Sequence, residues 1–176
     1  MPTPPLLRPA EDRDIGAITA IYGEAVRDGR ASFELTPPSE TEMRARWHKI
    51  VGNGHPYLVA TFNDQVVAFA YASFHRPRPA YNWTAEDSIY VDPRYQGQGV
   101  GLTLLSELMQ RTEEAGFRQV IAVIGDSANL ASVRLHARLG FRPVGTLLNV
   151  GYKHGRWLDT VLMQKTLGEG ATTPPK

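Results

Sequence analysis

Three glycines at alternate positions, Gly97, Gly99 and Gly101, follow the run Ser88-Ile89-Tyr90-Val91, which Asp92-Pro93 ends. The run is β-branched and aromatic and reads as a strand. An amphipathic stretch then begins at about Gly99. A glycine-rich turn that opens a helix is a place for phosphate. Without Cβ the backbone approaches an anion closely, and the unpaired N–H groups of the first turn point at it. The spacing excludes two familiar loops. No Gly-Lys-Ser/Thr follows, as a nucleoside triphosphatase loop requires, and the final glycine of the dinucleotide fingerprint is absent. What remains is Gln-x-x-Gly-x-Gly from Gln96 to Gly101. The alternative is an ordinary strand-to-helix turn.

Other residues nearby carry chemistry of a different kind. Glu86 lies three residues before Ile89 in an otherwise small and apolar stretch. A carboxylate there can take a proton from an ammonium group, directly or through a water, and partial burial would raise its pKa towards a useful range. On an exposed edge strand it would be a solvated charge. Asp87 alternates to the other face and reads as structural. Upstream, Arg76 and Arg78 alternate with Pro77 and Pro79. Guanidinium groups on a stiffened loop suit two-point recognition of a carboxylate or phosphinate, and the competing reading is a solvated basic loop. Phe33, Tyr81 and Trp83 are candidates for an aromatic substrate wall or for the core. Lys153 is a candidate contact for an anionic substrate or a partner subunit. His48, His55, His75 and His154 have no metal-ligand spacing, so no metal is expected.

The elements that must position these residues follow from apolar periodicity. Leu6-Leu7-Arg8 reads as a first strand, and Ile15, Ile18, Ile21, Tyr22, Ala25 and Val26 as one helix face ending near Arg27. Ser39 with Glu42 looks like a capping box for a second helix, to about Val51. Strands at Tyr57–Phe62 and Gln65–Phe74 flank the tight turn Asn63-Asp64. The next strand is Trp83–Val91. A helix runs from Gly99 to Gly116, a buried strand from Gln119 to Ile124, and a short helix from Asn129 to Leu139, which Gly140 ends. Phe141–Leu148 and Trp157–Lys165 are two last strands, with Gly151–Gly155 as the loop between them. The order β-α-α-β-β-β-α-β-α-β-β implies an α/β fold with a mixed sheet rather than a strictly doubly wound one.

Composition narrows the function classes. A chain of 176 residues, 42% of them hydrophobic, suits one domain, here 6–167, with a real core. The tail 168–176 is rich in Gly, Thr and Pro and is expected to be flexible. A net charge of +1 gives no electrostatic footprint for nucleic acid or membrane. The absence of cysteine removes disulfides, thiolate metal sites and a cysteine nucleophile, and fits a reducing cytoplasm. Met1-Pro2-Thr3-Pro4-Pro5 has no apolar segment of the secretory kind, and no apolar run is long enough to span a bilayer.

Three features now coincide: the Gln96–Gly101 loop, the element order, and Asn129, Ser132, Leu135 and His136 before Leu139-Gly140-Phe141. Together they resemble the GCN5-related N-acetyltransferases, with His136 where that family usually has tyrosine. Tyr81-Asn82-Trp83-Thr84-Ala85-Glu86, Val123-Ile124-Gly125, Ser132-Val133-Arg134-Leu135-His136 and Gly151-Tyr152-Lys153-His154-Gly155 are similar to the phosphinothricin and methionine sulfoximine/sulfone N-acetyltransferases. The likeness extends over residues 6 to 165.

The resemblance implies an acyl-CoA N-acyltransferase fold and acetyl-CoA as co-substrate. Backbone groups of Gln96, Gly97, Gln98, Gly99, Val100, Gly101 and Leu102 would hold its pyrophosphate, and Ile89, Tyr90 and Val91 would pair with the pantetheine arm as an added strand does. A bulge in that strand would free the Val91 N–H for the thioester oxygen. Asn129 and Ser132 would add contacts. Glu86 matches the subfamily's general base, and His136 would protonate the departing thiolate or hydrogen-bond the sulfur. Phe33, Arg76, Arg78, Tyr81, Trp83 and Lys153 would form the acceptor site. The implied acceptor is the α-amino group of a small amino-acid-like compound, and the implied assembly a homodimer. The rivals are a polyamine, an aminoglycoside or a protein N-terminus as acceptor, and a CoA-binding module without turnover.

Overall fold

A computed structural model describes residues 4–175. Met1–Thr3 of the N-terminal segment and Lys176 of the tail lie outside the described residues. The strands are β1 (Leu6–Pro9), β2 (Tyr57–Phe62), β3 (Gln65–Phe74), β4 (Thr84–Val91), β5 (Gln119–Gly125), β6 (Arg142–Lys153) and β7 (Arg156–Thr166). The helices are α1 (Ile15–Arg27), α2 (Glu40–Gly52), α3 (Val100–Glu114) and α4 (Leu130–Arg138). The element order is the expected one. The strands form one mixed seven-stranded sheet in the order β1-β2-β3-β4-β5-β7-β6. β4 and β5 are its parallel pair.

The period of two along the strands builds a core on each face. Tyr57, Val59 and Phe69 point to α1 and α2, where they meet Ile15, Ile18 and Met43. Leu58, Ala60 and Ala70 point the other way, against Leu104, Leu105 and Leu108 of α3. The turn between β2 and β3 has left-handed φ at both Asn63 and Asp64, +47° and +63°. Asn and Asp tolerate that geometry, and it matches the twist of a two-residue hairpin. Ser39 caps α2 by accepting the Glu42 N–H at 3.2 Å.

Two expectations need correction. The bulge expected in β4 is not there. β4 pairs with β3 without a register shift from Ala85 to Val91, and the irregularity lies on the other side of β3, between Ala60 and Thr61 of β2. The loop expected at Gly151–Gly155 is mostly strand. β6 runs on to Lys153 past a register shift between Leu147 and Gly151, and the turn narrows to His154-Gly155, both at positive φ. The described part of the tail runs in turns and bends. Glu169 accepts from the Thr173 hydroxyl at 2.7 Å and pairs with Arg118 at 3.4 Å.

β4 and β5 pair only from Thr84–Asp87 to Gln119–Ala122, and beyond those residues they part. β5 continues to Gly125 alongside β7. The loop after α1 crosses the far end of β5. A Cβ on Gly125 would stand 2.7 Å from the carbonyl oxygens of both Arg30 and Ala31, and one on Gly151 would stand 2.3 Å from the Phe33 ring. Glycine at both places lets the loop lie close. Gly125→Ala is therefore expected to lower stability by about 1–3 kcal/mol, because backbone rather than a flexible side chain must yield. Urea denaturation of the purified variant measures this, and an unchanged midpoint would mean that the loop does not rest on β5.

Candidate functional site

The parting of β4 from β5 leaves backbone polar groups facing an opening. Two hydrogen bonds fix the phase of β4: His75 N–H to Thr84 C=O at 3.1 Å and Asp92 N–H to Val67 C=O at 2.9 Å. In an antiparallel ladder this phase turns the even-numbered peptide groups, those of Glu86, Ser88 and Tyr90, towards β3. Those of Ile89 and Val91 face the side that β5 has left. The Val91 carbonyl accepts the Gln96 Nε2 at 3.1 Å. The Val91 N–H has no such partner on that side, so it points into the slot. The Ile89 and Val91 side chains pack on the α3 core.

The glycine loop lies beside this edge and is braced from within. Asp92 is buried and accepts Arg94 N–H at 2.9 Å and its Nη2 at 2.6 Å. The Asp92 carboxyl is held below its ordinary value, chiefly by that side-chain hydrogen bond. Gln98 Nε2 donates to the Arg94 carbonyl at 3.0 Å. The side chains of Gln96 and Gln98 thus hold the loop's shape, leaving its backbone to meet a ligand. Gly97 and Gly99 have φ of +73° and +85°, which glycine adopts without strain. Gly99 caps α3 with no side-chain hydrogen bond, and the first turn holds no acidic residue, so the N–H groups of Val100, Gly101 and Leu102 are open to an anion. Gly101 lies against Leu135 of α4, whose Cδ2 a Cβ at this position would meet at an ordinary contact distance of 3.4 Å.

The slot between the parted strands is lined by Asp87 and Ile89 of β4, Ile124 of β5, and Asn129, Ser132 and His136 around α4. Asn129 caps α4, accepting Ser132 N–H at 3.3 Å. His136 is buried and its ring is held at both nitrogens. Nδ1 donates to the Ser132 carbonyl at 2.8 Å, and Nε2 lies 2.9 Å from Asp87 Oδ2. A carbonyl only accepts, so Nδ1 carries a proton, and a carboxylate opposite Nε2 calls for a second. This arrangement favours the imidazolium form. Burial opposes that charge, but the hydrogen bond and charge of Asp87, with the Ser132 carbonyl, lift the ring above the ordinary histidine value. This corrects the expectation that His136 itself protonates a departing thiolate, because neither nitrogen is free to turn to a ligand.

Glu86 lies on the opposite face of β4 and is half-buried. Its Oε2 meets His75 Nδ1 at 3.2 Å. Burial pushes the Glu86 carboxyl above its ordinary value, with His75 and Arg76 opposing. His75, which in sequence shows only the absence of metal-ligand spacing, becomes a neighbour of Glu86 through the β3–β4 register, in which Ser73 faces Glu86. That register follows a nine-residue connection, 75–83, and has no local sequence signal. The Arg76 guanidinium stands 6.0 Å over the Tyr81 ring, which is edge-on to His75. Arg78 is exposed ahead of the turn Pro79–Tyr81, and Arg76 rather than Arg78 acts on Glu86. Trp83 departs from the expected substrate wall and lines an open groove with Arg118 and Gly170–Pro175. Phe33 sits between Gly125 and Gly151. Lys153, expected to face a substrate or partner, is buried and donates to the Ser32 carbonyl at 2.7 Å. Burial lowers its pKa against the pull of Glu34. Among the described residues no group of three or more His, Cys, Asp or Glu is placed to hold a metal, and no helix is long and apolar enough to cross a membrane.

Residues 19–141 match the family model described as "Acetyltransferase (GNAT) family". The chain is 53% identical over 170 residues to a phosphinothricin N-acetyltransferase of Alcaligenes faecalis, covering 97% of this chain and 86% of that one. It is 37% identical over 166 residues to an L-methionine sulfoximine/L-methionine sulfone acetyltransferase of Salmonella typhimurium, covering 94% and 96%. A crystal structure of a GNAT superfamily phosphinothricin acetyltransferase from Sinorhizobium meliloti, in complex with AcCoA, superposes with a TM-score of 0.96 at 49% identity, covering 99% and 94%.

The raised His136 value predicts the pH dependence of stability. A group bound more tightly to its proton when folded stabilises fully below its unfolded pKa of about 6.5 and loses that contribution as pH rises through its native value. Asp87→Ala should cost about 3–5 kcal/mol at a pH near 6, the range for breaking a buried pair, and should flatten the alkaline decline. Urea titrations of both proteins across pH measure it. An alkaline decline of the same size in the variant would show that the pair is not its source.

Proposed function

The chain belongs to the acetyltransferase (GNAT) family and is an N-acetyltransferase, and we propose that it acetylates the α-amino group of a small anionic amino-acid-like compound, of the phosphinothricin or methionine sulfoximine/sulfone kind, with acetyl-CoA as donor. One observation carries the reading: the unpaired β4 edge at Ile89 and Val91 runs directly into an uncapped glycine turn. Such an arrangement fits a ligand with amide groups along an arm and a pyrophosphate at its end.

Acetyl-CoA supplies an acetyl group activated as a thioester. The backbone N–H groups from Gly97 to Leu102 hold its pyrophosphate, and the peptide groups of Ile89 and Val91 align the arm. Asn129 contacts the arm beside the α4 cap. The Val91 N–H bonds the thioester oxygen and gains strength as negative charge develops there. Glu86 takes the proton from the substrate ammonium, which is charged at neutral pH, and its burial keeps its pKa nearer the working range. Arg76 receives the substrate carboxylate in two-point fashion, with Arg78 next to it on the same stiffened loop. Tyr81 and Phe33 wall the acceptor side. Lys153 acts on the site by tethering the Ser32 carbonyl, which holds the loop carrying Phe33.

The same reading makes the protein a cytoplasmic homodimer that inactivates an amino-acid-like inhibitor by removing its ammonium charge. The lack of cysteine supports the compartment. The dimer is supported by the outer sheet hairpin, where Leu148 is 68% and Trp157 62% exposed along with Leu147 and Val150. Apolar residues gathered on a sheet edge favour covering by a partner.

A thiol-release assay with purified protein, acetyl-CoA and a panel of amines tests the function. Turnover is expected with phosphinothricin, methionine sulfoximine or methionine sulfone, and equal or faster turnover with polyamines would overturn the acceptor class. Glu86→Gln should lower kcat roughly 10²–10⁴-fold with donor affinity kept. The rate should also fall as pH drops through the raised Glu86 value, since only the carboxylate accepts a proton. His75 lowers that value, so His75→Gln should move the acid limb to higher pH. An acid limb that stays in place would separate His75 from the base.

A further inference from the structure

The Ser132 hydroxyl lines the slot and lies 3.4 Å from His136 Nδ1, whose ring reaches Asp87 on its far side. We propose that Ser132 is the catalytic residue that protonates the departing CoA thiolate, with His136 and Asp87 as positioning residues that supply and hold its proton. This rests on the acetyl-transfer reading above.

The geometry supports the order Asp87, His136, Ser132. The Nδ1 proton already donates to the Ser132 carbonyl, and the hydroxyl of the same residue is the second acceptor within reach. The ring is packed edge-on against Phe141 and buried, so it acts only through its neighbours. Asp87 Oδ1 is buried with no hydrogen-bond partner, so the ring is the one hydrogen-bonding partner of this carboxylate among the described residues. An orphaned carboxylate oxygen strengthens the hold on an adjacent imidazolium. Asp87 of β4 is the charged side chain that acts on the ring. α3, β5 and β7 bring apolar residues to the same core, among them Leu108, Ala122, Ile124 and Met163. α4 itself contributes the Ser132 carbonyl. Glu86 is adjacent in sequence but belongs to the opposite face of β4.

The step balances. The C–S bond breaks and its electron pair goes to sulfur. Sulfur takes the Ser132 hydroxyl proton, and Ser132 Oγ takes the Nδ1 proton of His136. The ring is left neutral, with Nε2–H donating to Asp87, and regains a proton from solvent once the slot empties. The acceptor's proton leaves separately through Glu86 on the other face.

Three measurements on the full-length protein test this. First, single-turnover thiol release with saturating acceptor should fall about 10²-fold in Ser132→Ala, the low end of a general-acid effect, because a thiolate is already a fair leaving group. Acetyl-CoA affinity by calorimetry should fall far less than the rate, and Ser132→Thr should recover the rate. Second, a readout free of turnover is the ultraviolet thiolate absorbance of bound CoA. Loss of a donor to sulfur should raise the bound thiol's pKa by about one to two pH units in Ser132→Ala. Third, Asp87→Asn removes the charge that raises His136, so the alkaline limb of the wild-type rate should move to lower pH. An unchanged rate and thiol pKa in Ser132→Ala would overturn the relay while acetyl transfer by the unaltered protein stands. Absence of transfer by the unaltered protein would overturn both.

Discussion

Everything in this molecule depends on two neighbouring parallel strands that stop pairing halfway. Backbone N–H and C=O groups removed from water must find partners. From Thr84 to Asp87, β4 finds them on both sides, and from Ser88 onward on one side only. The unbroken ladder with β3 keeps β4 straight, so the exposed edge is a rigid row of donors and acceptors. The residues around the slot keep it from closing. Asp87 and His136 tie β4 to α4, and the loop through Phe33 seals the end of β5.

Adjacent carboxylates on β4 show how a strand separates two tasks. Glu86 and Asp87 differ by one residue and therefore face opposite sides of the sheet. Glu86 is part-exposed beside His75, and burial raises its pKa above the ordinary value. Asp87 is enclosed and meets the His136 ring at 2.9 Å. On the proposed mechanism, proton removal from the acceptor and proton delivery to the leaving group proceed on two faces of one strand.

The periodic parts of the fold were legible in the sequence because their signals are local. The Asn63-Asp64 turn, the Ser39 cap and the alternation along Gln65–Phe74 each act within a few residues, and β2 and β3 begin and end where expected. The glycine loop was legible for the same reason. The partners were not. His75 meets Glu86, and Lys153 meets Ser32 across 121 residues of chain, through registers that no short window contains. Trp83 carries the same aromatic signal as Tyr81, yet the folded tail decides what it faces. The His136 role turned on Asp87, whose alternation identified its face but not the ring it would meet. β6 was cut short because its glycines suggest a loop, whereas register shifts absorb them within the strand.

The central claim is that the free edge of β4 receives the acyl donor. Amide hydrogen exchange followed by NMR, with and without acetyl-CoA, reads that edge residue by residue. The account predicts marked protection of the Ile89 and Val91 amides and of those from Gly97 to Leu102 when acetyl-CoA binds. The amides of Glu86, Ser88 and Tyr90, already bonded to β3, should change little. Binding that leaves Ile89 and Val91 unprotected would contradict it.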